Sequence, residues 1–197
     1  ILLIFFIFNK SASSQEKIKI GLIVPLSGEY ANIGHSILKS VRLAVNKIND
    51  NKIEIYPRDT FADPNIAFKV SEELYNKGVK IIIGPLFNTS TINLNRLNGI
   101  TFLSLTNKIY KNPKNVISAG VNALSQINTI KKFQKINNIE RSIFLIPNNK
   151  HKNEIEYAIN KSKIILKDTF EYDTDPTLLT AQIEKLTRYS QRKQNLF

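Results

Sequence analysis

The sequence predicts an α/β protein in which parallel, doubly wound sheets are covered by helices on both faces, arranged as two consecutive blocks. Three observations carry this reading. Short β-rich apolar runs alternate with helix-periodic segments, the alternation restarts after Gly120, and 42% of the 197 residues are apolar, enough for packed cores.

The chain opens on "ILLIFFIF", an apolar run too short to span a bilayer but suited to the core of an export signal. Small residues follow in "NKSASSQEK", so residues 1–14 read as a signal peptide cut after Ser13 or Ser14. A basic stretch and an initiating Met are expected before Ile1. The competing reading, a buried N-terminal strand, fits poorly with a Ser-rich break directly after eight large apolar residues. The chain has no Cys, which excludes disulfides, thiolate metal sites, Cys nucleophiles and lipid attachment through Cys.

"IKIGLIV" (18–24) reads as the first strand, stopped by Pro25, with "SGEYANIG" as its loop. Ile37, Val41, Ala44, Val45 and Ile48 recur at helical spacing, predicting a helix over 31–49 whose stripe covers a sheet face. "IEIYP" is the second strand. Asp63-Pro64 then reads as an N-cap with a first-turn Pro, opening a helix that carries Ile66, Val70 and Leu74 and stops at Gly78. "VKIIIG" is the third strand, Asn88 to Leu97 a third helix, "ITFLSL" a fourth strand and "NVISAG" a fifth.

Past Gly120, Leu124, Ile127, Ile130 and Phe133 mark a helix, "SIFLIP" a strand, "EIEYAI" a helix and "KIILKDTF" a strand. Asp175-Pro176 caps a last helix with Leu179, Ile183 and Leu186. The periodicity suggests two blocks, about 17–119 and 120–197, with one larger sheet as the alternative. The second offers only two clear strands, fewer than an independent sheet usually needs, so the natural chain is expected to continue past Phe197.

In open parallel sheets, ligands bind outside the carboxyl ends of the strands. Ser27 and Gly28 follow the first strand, Asn88, Thr89 and Ser90 the third, and Ser104, Thr106 and Asn107 the fourth. Such short hydroxyls and amides supply both donors and acceptors for a small polar or anionic group. Each of Asn88, Thr89 and Ser90 also suits simple helix capping. No glycine spacing marks a dinucleotide or phosphate loop, and Ser27 lacks a hydrolase elbow. His35 and His151 have no metal spacing; Asp59, at a strand end without a base or metal partner, reads as a carboxylate that orders a loop. No catalytic residue, metal site or cofactor is therefore expected.

The formal charge of +12 is spread along the chain: residues 1–120 carry 15 basic and 8 acidic groups, and residues 121–197 carry 13 and 8. Nor do aromatics interleave with the cations as a nucleic-acid platform requires. The abundance of Lys, Asn and Ile has a simpler source in AT-rich codons, with attraction to anionic envelope polymers as the alternative.

The segments "IKIGLIVPLSGEYANIGHSILKSVRLAVNKIN", "RDTFADPNIAFKVSEELYNKGVKIIIGPLFNTST" and "ITFLSLTN" resemble the N-terminal lobe of type I periplasmic binding proteins of the leucine-binding group, over about residues 17–190. The resemblance implies a two-lobed, non-enzymatic receptor whose second lobe is incomplete here. Such a receptor closes around an amino-acid-like solute in the periplasm and serves the permease of an ABC importer. It implies ligand contacts from Ser27, Asn88, Thr89, Ser90, Thr106 and Asn107, and from Asn148, Asn149 and His151 of the second lobe. This chain departs from that group in having Asn88 where Ser is usual and in a short "SLTNKIYKNPKN" loop. "RDT", "GPLF" and "NVISAGVNALSQI" look more like a sister subgroup, the penicillin-binding protein activators, which implies a peptidoglycan synthase as the alternative partner.

Overall fold

The computed structural model describes residues 16–194; the expected export signal at residues 1–14 lies outside them. Five parallel strands form the larger sheet: β1 (Ile18–Val24), β2 (Ile53–Asp59), β3 (Ile81–Ile83), β4 (Thr101–Ser104) and β5 (Val116–Ser118), in the order β2-β1-β3-β4-β5. Two helices alternate with them, α1 (Ala31–Ile48) and α2 (Pro64–Asn76). Interior β1 pairs with β2 through Gly21 opposite Tyr56 and with β3 through Gly21 opposite Ile82.

The period of two then sorts side chains between faces. Ile23, Ile82, Phe102 and Val116 point to one face and form a core with Leu74 of α2, Val79, Leu94 and Ile100. Each such side chain contributes about 1.5–3 kcal/mol by leaving water. The cap of α2 is as its sequence predicts: the Asp63 carboxylate accepts from the amides of Asn65 and Ile66 at 2.7 and 2.9 Å, with Pro64 in the first turn.

The segment from Asn88 to Leu97 corrects the expected third helix. It forms two short 3-10 turns, Asn88–Thr91 and Leu94–Arg96. Asn, Ser and Thr side chains compete with the helical ladder for backbone groups, and here they win. Thr91 Oγ1 donates to the Asn88 carbonyl at 2.7 Å, and the Asn115 amide donates to the carbonyls of Leu94 and Leu97 at 2.9 and 3.1 Å.

The stripe of α1 also covers its sheet face less than expected. Only Gly34 is buried, Ile37, Val41 and Val45 are half-buried, and Ala44 and Ile48 are exposed. Gly34 is required by close approach, since a Cβ there would lie 1.7 Å from the Pro25 carbonyl oxygen.

The second unit holds α3 (Ala123–Ile136), β6 (Ser142–Pro147), α4 (Lys152–Ser162), β7 (Leu166–Tyr172) and α5 (Pro176–Gln194). β6 and β7 pair in parallel as a two-stranded sheet. Ile127 of α3, Ile146 of β6, and Ala158 and Ile159 of α4 pack into a second core with Ile164. Ile130 and Phe133, two of the apolar positions that mark this helix in the sequence, are exposed. None of the described helices is long and apolar enough to cross a membrane.

Candidate functional site

The strand order puts β1 between β2 and β3, so the connections leaving the carboxyl ends of β1 and β3 run to opposite faces and open a crevice at the rim. The loop after β1 is ordered by Asp59 at the end of β2. Its carboxylate accepts from the amides of Leu26 and Phe61 at 2.8 and 2.9 Å. Partial burial works against the charged form, but donors led by the Ser27 hydroxyl outweigh it and lower the Asp59 pKa. Asp59 thus has the loop-ordering role read from the sequence. Ser27 and Gly28 are exposed at the rim, Gly28 with a positive φ of 78°. Tyr30 of this loop meets Phe87 after β3 edge to face, ring centroids 4.8 Å apart.

The remaining rim residues divide by exposure. Asn88, Thr89 and Asn107 are open, whereas Ser90, Ser104 and Thr106 are buried. Ser104, fully buried, donates its hydroxyl to the Pro85 carbonyl at 3.0 Å, and Thr106 Oγ1 accepts from the Lys108 amide at 3.2 Å. These two hydroxyls brace the loops that carry the open residues. In the second unit, Asn148 is exposed after β6 and its backbone N–H donates to the Tyr172 carbonyl at 2.7 Å.

A cavity of about 300 Å³ lies between the units. Asn107 and Lys108 line it from the loop after β4, Asn122 and Gln126 from the start of α3, and His151 and Glu154 from the start of α4. Of the residues expected from sequence at the cleft, Asn107 and His151 line this cavity; Ser27, Gly28, Asn88, Thr89, Asn148 and Asn149 stand outside its lining.

One side of the cavity is fixed by a contact that sequence reasoning missed. Glu154 is 9% exposed, and its two carboxylate oxygens accept from the amides of Ile109 and Tyr110 at 2.6 and 3.0 Å. Ile109 packs against the second core, and Tyr110 meets Tyr157 of α4 edge to face at 5.7 Å. The loop leaving the first sheet is therefore clamped to the second unit. A signal existed in the sequence: Glu154 precedes Ala158 and Ser162 at helical spacing, an acid on the face that α4 buries. Among the described residues no cluster of His, Asp and Glu could hold a metal ion.

Residues 17–151 match the family model described as periplasmic binding protein. Over 82 residues the chain is 33% identical to the Leu/Ile/Val-binding protein of Escherichia coli K12, a match covering 39% of this chain and 22% of that protein. The C-domain of LpoA from Haemophilus influenzae, described as a regulator of PBP1A, superposes with a TM-score of 0.59 at 16% identity, covering 77% of this chain and 49% of that one. A solute-binding protein of an ABC transporter from Rhodopseudomonas palustris BisB5, solved with 3,4-dihydroxybenzoic acid, superposes with a TM-score of 0.52 at 20% identity, covering 81% and 48%. At these identities the structural matches show the fold alone. The chain spans about half the length of these solved neighbours, and its matched segment under a quarter of the Escherichia coli relative.

Proposed function

Because the chain belongs to the periplasmic binding protein family, we propose that it is an exported, non-enzymatic receptor that holds a small polar, amino-acid-like solute between two lobes and presents it to the permease of an ABC importer. The lobes are residues 17–119 and 120–197, and residues 1–14 direct export. The observation that carries the reading is the cavity between the units, which Asn107 lines from the first and His151 from the second. A solute touching both sides makes contacts that exist only when both are in place, which is how binding selects a closed state. Ser27, Gly28, Asn88, Thr89 and Asn148 form the outer rim, while Ser90, Ser104 and Thr106 support it from within.

A thermal-shift screen of the chain against amino acids, small carboxylates, peptides and sugars tests this directly. A true ligand at about 100 times its Kd stabilises the fold by roughly 2.7 kcal/mol. No shift with any class contradicts the receptor reading.

One observation favours a second reading, a regulator of a peptidoglycan synthase: the buried hydroxyls of Ser104 and Thr106 already have partners inside the protein. On that reading an outer surface, rather than the cavity, makes the functional contact. Pull-down from envelope extracts separates the two, with a permease expected for the receptor and a cell-wall synthase for the regulator.

A further inference from the structure

We infer that the cavity between the two units selects a carboxylate that lacks an ammonium group, in preference to a zwitterionic amino acid; this rests on the receptor reading and refines its solute class. Three features of the lining combine. Its one carboxylate, Glu154, has an oxygen on each of two backbone amides, at 2.6 and 3.0 Å, and is 9% exposed. It is thereby turned toward the loop, and, more than nine-tenths covered, it offers an ammonium in the cavity little oxygen surface. Lys108 lines the same space half-buried, and among the described residues its ammonium forms no ion pair.

The remaining polar groups are those of Asn107, Asn122, Gln126 and His151, none of them anionic. An amino-acid ammonium would enter beside the Lys108 cation, where the one acid is buried and engaged by two loop amides. A carboxylate would gain a charge-assisted bond from Lys108 with amide donors beside it. The cavity volume of about 300 Å³ corresponds to roughly ten water-sized groups, the scale of a small organic acid.

The test compares pairs that differ by the ammonium alone: 4-methylpentanoate against leucine, and 3-phenylpropanoate against phenylalanine, by calorimetric titration of the chain and of Lys108→Gln and His151→Gln. Within at least one pair the acid is expected to bind about tenfold or more tighter, the scale of leaving the ammonium without a partner. Lys108→Gln is expected to remove that preference while the thermal midpoint stays unchanged. Equal or tighter binding of the amino acids, or an acid preference that survives in Lys108→Gln, overturns the inference. Binding of sugars or peptides with no binding of either acid also overturns it, yet leaves the receptor reading standing. No binding by any class sinks both.

Discussion

Glu154→Ala is the substitution whose effect the structure specifies most closely. The carboxylate accepts two amide hydrogens from a loop that belongs in sequence to the other unit, and the site is nearly closed to water. A hydrogen bond to a charged acceptor contributes about 1.5–3 kcal/mol, and a buried amide left without a partner costs about 1–3 kcal/mol. Two such bonds share one side chain, and water refills part of the gap, so a loss of about 2–4 kcal/mol is expected for closure of the loop on α4. The assay is amide hydrogen exchange at Ile109 and Tyr110, where 2 kcal/mol corresponds to about thirtyfold faster exchange. Glu154→Gln keeps one acceptor but turns an NH2 toward the second amide, and should fall between wild type and Ala. Exposed Glu140→Ala serves as the control. Unchanged protection of Ile109 and Tyr110 in Glu154→Ala would refute the clamp.

Further outcomes follow from other sites. Asp59→Asn should loosen the loop after β1, because the carboxylate serves the amides of Leu26 and Phe61 together with Ser27; faster exchange at Leu26 and Phe61 checks it. Gly34→Ala places a methyl 1.7 Å from the Pro25 carbonyl and should cost about 3 kcal/mol or more in urea unfolding, since helix and loop must part. Glu73 is held at a pKa of about 2, against an ordinary 4.5, by hydrogen bonds first from Arg58 and then from Lys77. A folded pKa below the unfolded one means that its stabilisation is present above pH 4.5 and is lost as pH falls toward 2. Glu73→Gln should therefore flatten the urea midpoint over that window, and an unaltered acid limb would count against the pairing.

Local chemistry decided which elements were legible in the sequence. Asp63-Pro64 declares a helix start because its oxygen and its missing amide both solve the problem of free backbone donors, and the β-branched run before Gly84 suits a buried parallel strand. The stretch Asn88–Leu97 misled because its apolar positions keep helical spacing while its Asn, Ser and Thr side chains hold the backbone in tighter turns, aided by the distant Asn115. The same distance in sequence hid the cavity: Asn107 was legible as a rim residue, but Glu154 acts on amides 44 and 45 residues away. Likewise, hydroxyls after a strand show that a polar loop exists, yet not whether they face a solute, as Asn88 and Thr89 are free to, or the protein, as Ser104 does.

The most direct test is to map a bound solute on the isotopically labelled chain by NMR, titrating 4-methylpentanoate, and any other solute that raises the thermal midpoint, while following backbone and side-chain amides. The account predicts saturable shifts concentrated at Asn107, Lys108, Asn122, Gln126 and His151, contributed by both units. Shifts confined to one unit, or away from these residues, would contradict a solute site between them.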